Sequence, residues 1–104
     1  MAQINKTPWE IGSVFICSKC GAKFNEPQIA DEAKSEMRKF QKAAETQGQI
    51  RVIVSGCLGV CYPEKQTFAF MPVDGATEVY TTELKKDTLV TELKNLLGSK
   101  LPKP

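Results

Sequence analysis

Polar and apolar positions along the chain follow two rhythms. Ile29, Ala33, Met37, Phe40 and Ala44 recur at spacings of three and four, which puts them on one stripe of a 3.6-residue period and predicts a helix. Glu32, Lys34, Glu36, Arg38 and Lys39 fill its solvated face, and Gly48 is expected to close it. Leu89, Leu93, Leu96 and Leu97 form a second stripe. This last helix is expected to start at Asp87 or Thr88, both able to cap it, and to end at Gly98.

The remaining apolar runs are short and rich in β-branched and aromatic residues, which predicts strands. They are Val14-Phe15-Ile16, Ile50 to Val54, Thr67 to Met71 and Thr77 to Thr81. Asp74-Gly75 marks a hairpin turn between the last two. Gly21 to Pro27 reads as irregular. The order is α/β: a βαβ unit, a β-hairpin and a C-terminal helix. Two strands joined by a crossover helix are expected to be parallel, with the helices covering the faces of the sheet. Residues 1–12 read as an arm, 13–98 as the domain and 99–104 as a flexible tail. In the arm Trp9 is expected to be a packing residue.

Composition narrows the function. The chain has 104 residues, enough for one domain, and 41% of them are hydrophobic, enough for a core. Fourteen basic against twelve acidic residues leave a net charge of +2, too little for a nucleic-acid footprint or an anionic membrane surface. No apolar run has the ~18–20 residues needed to cross a bilayer, and the polar N-terminus has no secretory h-region. A cytoplasmic protein is expected. In that compartment thiols stay reduced, so Cys17, Cys20, Cys57 and Cys61 point to metal ligation or redox chemistry rather than to structural disulfides.

Topology predicts that these cysteines meet. Cys17 and Cys20 follow the first strand, and Cys57 and Cys61 follow the second. Parallel strands end at the same sheet edge, and neighbours lie ~4.8 Å apart, so the two pairs fall on adjacent loops. That edge is where open α/β sheets hold ligands. The chain has no histidine, which removes Rieske-type and mixed Cys/His sites. Four thiolates suit tetrahedral zinc or an iron–sulfur cluster. Cys17-Ser18-Lys19-Cys20-Gly21 fits either. Cys57-Leu58-Gly59-Val60-Cys61, with three residues between ligands, is less zinc-like. Gly56 and Gly59 would let backbone N–H groups approach and hydrogen-bond cluster sulfides.

Ser55-Gly56-Cys57-Leu58-Gly59-Val60-Cys61 resembles the second ligand loop of thioredoxin-like [2Fe–2S] ferredoxins and of the related cluster-bearing subunit of respiratory NADH dehydrogenases. The resemblance covers roughly residues 13–97. It implies a thioredoxin-like fold and one [2Fe–2S] cluster on Cys17, Cys20, Cys57 and Cys61. It further implies an electron carrier rather than an enzyme, a redox partner protein and a homodimer. The first pair departs from the pattern, because those families place more than two residues between their first two ligands. Its C-x-x-C spacing resembles instead that of some predicted metal-binding relatives.

Two alternatives stay open beside the cluster. One is a zinc-stabilised interaction module on the same sulfurs. The other is a dithiol redox protein using Cys17 and Cys20, although Gly21 and Pro27 place that pair poorly at a helix N-terminus and Cys57 and Cys61 would have no role. Tyr62, Phe68, Phe70 and Tyr80 are expected to be packing residues, and Lys19, Lys23 and Lys65 to be solvated surface. No Ser/His/Asp set, phosphate-binding glycine loop or pair of catalytic carboxylates is present.

Overall fold

The computed structural model describes residues 2–22, 27–46, 48–59 and 62–101. The elements run β1 (Gly12–Cys17), α1 (Ser18–Ala22), α2 (Ile29–Ala43), β2 (Ile50–Ser55), β3 (Lys65–Pro72), β4 (Glu78–Glu83) and α3 (Lys86–Lys100). The chain is α/β. Its four strands form one mixed sheet in the order β2-β1-β3-β4. β1 and β2 are parallel, and the other two pairings are antiparallel.

Strand alternation places the core. Val14 and Ile16 of β1, Ile50 and Val52 of β2, and Phe68 and Phe70 of β3 point to one side. There they join Ile29, Ala33 and Met37 of α2 and the four leucines of α3 in a single cluster. Both long helices thus cover the same face. This corrects the expectation that helices would cover both. On the other face only small or polar side chains are deeply buried, among them Ser13, Cys17, Thr67 and Ala69, while Met71 and Val79 are about half exposed.

Helix ends differ from the sequence expectation for local reasons. α2 stops before Gly48. The Glu45 N–H donates to the Lys42 carbonyl at 3.1 Å and the Thr46 N–H to the Gln41 carbonyl at 2.8 Å, the paired bonds of a Schellman motif. Glu45, at φ 57°, takes the left-handed position that usually falls to glycine. Ala44, expected in the apolar stripe, is exposed, and Phe40 is half-buried. α3 starts at Lys86 without a side-chain cap, so neither Asp87 nor Thr88 caps it. It also runs two residues past Gly98, because Leu101 packs into the core and its N–H reaches the Leu97 carbonyl at 2.8 Å. Residues 102–104 of the expected tail lie outside the described residues. The stretch expected to be irregular, Gly21 to Pro27, opens inside the short helix α1, which ends at Ala22. Tyr62 is exposed rather than packed, whereas Phe68 stacks on Tyr80 with ring centroids 5.2 Å apart.

Leu93 has no solvent exposure and sits among sheet and helix side chains. Leu93→Ala is therefore expected to cost about 2–5 kcal/mol through lost burial and a residual cavity. Glu92→Ala on the exposed side of α3 should stay within about 0.5 kcal/mol. Chemical denaturation of the two variants checks this.

Candidate metal centre

The site starts from strand pairing. β1 and β2 run in register from Gly12 opposite Ile50 to Cys17 opposite Ser55. The chain leaves β1 directly into α1, which carries Cys20, and leaves β2 through Gly56 into Cys57. The Ser18 hydroxyl donates to the Ser55 carbonyl at 2.8 Å, tying the two exits together.

Cys17 and Cys20 meet. Both are buried, with 1% and 3% exposure, and their side chains are neighbours. Burial pushes the Cys20 thiol up from its ordinary value. The N–H and hydroxyl of Thr67, both bonded to its sulfur, pull part of that back, and Cys17 pushes it further up. Thr67 reaches this position because β3 flanks β1 on the side away from β2.

Cys57 is exposed on the adjoining loop. Its sulfur accepts the Gly59 N–H at 3.4 Å. Gly59 has φ 86°, a conformation that a residue with Cβ adopts only with strain. Gly56 has a neutral role here, with open space where a Cβ would stand. Cys61, the fourth expected ligand, lies outside the described residues, as does Lys23. Among the described residues no three side chains of His, Cys, Asp or Glu group together to hold a metal ion. The structure therefore brings two of the expected ligands into contact and sets a third on the neighbouring loop.

One site residue has no motif. Gln66 is fully buried, and its Nε2 donates to the carbonyls of Cys17 at 2.8 Å and Thr67 at 2.9 Å. Both partners are acceptors, so the amide nitrogen must face them, and Oε1 is left without a partner among the described residues. Gln66 locks the end of β1, where the cysteine pair begins, to the start of β3. The signal in the sequence was a polar residue on the inward alternation Gln66-Phe68-Phe70 of an otherwise apolar face.

Comparison with protein-family models, curated proteins and solved structures finds no match. No helix among the described residues is long and apolar enough to cross a membrane.

The burial pattern predicts the order of thiol reactivity. In native, metal-free, reduced protein, a maleimide is expected to label Cys57 rapidly, and Cys17 and Cys20 only after denaturant is added. Peptide mass spectrometry after timed alkylation reads this. Equal labelling of Cys20 and Cys57 would show that the pair is open to solvent.

Proposed function

We propose that this chain is an electron-transfer protein carrying one [2Fe–2S] cluster on the thiolates of Cys17, Cys20, Cys57 and Cys61, within a thioredoxin-like fold. The observation that carries the reading is the parallel pairing of Cys17 with Ser55. It starts the two cysteine loops side by side at one sheet edge, at a strand spacing of ~4.8 Å. The donor set fits: four sulfurs in two pairs, with no histidine. The strand order, one parallel pair extended by an antiparallel hairpin, is consistent with the thioredoxin-like reading.

When bound, the cluster supplies one-electron redox chemistry. The chain's own groups would tune and shield it. The Thr67 N–H and hydroxyl on Cys20, and the Gly59 N–H on Cys57, are donors placed on sulfur, where they stabilise negative charge and raise the potential. Burial of Cys17 and Cys20 keeps water from that half of the site. A redox partner protein completes the function, and a homodimer belongs to the same proposal.

The contact between Cys17 and Cys20 also suits a dithiol redox protein. Such a protein needs a sulfur open to attack on a partner's disulfide, and 1% and 3% exposure does not provide one.

Protein purified without oxygen is expected to be red-brown, with about two irons and two acid-labile sulfides per chain, titrating as a single-electron couple near about −400 mV. Paramagnetic resonance of the reduced form follows that titration. Cys57→Ser should disturb the signal as severely as Cys17→Ser. Stoichiometric zinc without sulfide would replace this reading with the zinc module. A two-electron wave lost only on changing Cys17 or Cys20 would replace it with the dithiol protein.

A further inference from the structure

At the other end of the sheet, a cleft of about 570 Å³ opens between the N-terminal arm, the last turns of α2 and the edge strand β2. It lies where β2 begins, about 17 Å along the strand from the cysteine loops, and does not depend on the metal reading. Among the described residues every charged side chain lining it is basic: Arg38, Lys42 and Arg51. Among the described residues none of the three forms an ion pair, whereas Lys39, Lys85, Lys86 and Lys100 all do. In a chain with a net charge of only +2, three unpaired cations around one cleft form a local anion-attracting field.

Two further features restrict the ligand. Trp9 walls the cleft, and the Arg51 guanidinium lies 3.7 Å from its ring centroid. Arg51 is held there by its Nε, which donates to the Ser13 hydroxyl at 3.2 Å, so a flat aromatic and a flat cation are fixed together. Gln41, only 4% exposed, also lines the cleft. Its Nε2 donates to the Ile50 carbonyl at 3.0 Å. A carbonyl only accepts, which fixes the amide's orientation and leaves Oε1 as a buried acceptor without a partner among the described residues. Such an atom is costly unless a donor reaches it.

A ligand for this cleft carries negative charge for the cations, a flat body for Trp9 and Arg51, and an N–H donor for Gln41. We propose that it binds a mononucleotide whose base bears an exocyclic amino group. Its phosphate sits among Arg38, Lys42 and Arg51, its base lies against the Trp9 wall, and its amino group donates to Gln41 Oε1. The cleft volume lies within the range of small-molecule sites, about 300–1,000 Å³.

Trp9 is the only tryptophan of the chain, so its fluorescence reports occupancy directly. Adenosine monophosphate titrated into the full chain should change the emission saturably. Purine riboside monophosphate, which lacks the amino group, and adenosine, which lacks the phosphate, should each bind about tenfold more weakly or worse, as should inorganic phosphate, which lacks both base and amino group. Arg38→Gln and Lys42→Gln, both exposed positions, should each weaken adenosine monophosphate binding about tenfold. Lys94→Gln on α3 should leave it unchanged. No saturable change with adenosine monophosphate would overturn the proposal. Equal binding of adenosine and purine riboside monophosphates would remove the Gln41 contact and overturn it too, as would equal binding of inorganic phosphate.

Discussion

The parallel pairing of β1 with β2 is the constraint on which the rest of this molecule depends. β1 is an inner strand, bonded to β2 on one side and β3 on the other, and its Val14 and Ile16 are completely buried. A parallel neighbour cannot be reached by a tight turn, so the chain must cross over. α2 is that crossover, and its stripe of Ile29, Ala33 and Met37 seals Val14, Ile16 and Val52 beneath it. The start of β1 is equally constrained by β3. A Cβ on Gly12 would stand 2.5 Å from the Met71 carbonyl oxygen, so glycine at that position allows the central strand to seat.

A core built on one face has consequences for the site. Strand alternation sends Val14 and Ile16 into the apolar cluster and Cys17 to the opposite side. The cysteine pair therefore does not compete with the core for space. It is buried instead by the turn of α1 and by β3, whose Thr67 supplies polar partners to Cys20. Gln66, the next residue along, points inward and fastens the Cys17 carbonyl. Consecutive residues of β3 thus hold the cysteine pair from both faces of the sheet. The basic cleft at the opposite end of β2 depends on the same strand: Arg51 is turned away from the core, while Ile50 and Val52 on either side are buried in it.

Much of the fold was legible in the chain because its signals are local. The period-four stripe of α2, the leucine stripe of α3, the β-rich runs and the Asp74-Gly75 turn each depend on residues a few positions apart, and each element lies where that pattern put it to within a few residues at its ends. The placement of Cys17 and Cys57 at the ends of neighbouring strands was also legible, since a βαβ order dictates a parallel pair. What tertiary structure alone decided rests on contacts between distant residues. α3 outruns Gly98 because Leu101 finds room in the core. That both helices share one face, that Thr67 and Gln66 attend the cysteine pair, and that Trp9 meets Arg51 across 42 positions are outcomes of strand order and side-chain packing. No periodicity encodes them, because the partners come from separate elements and meet only once the sheet has formed.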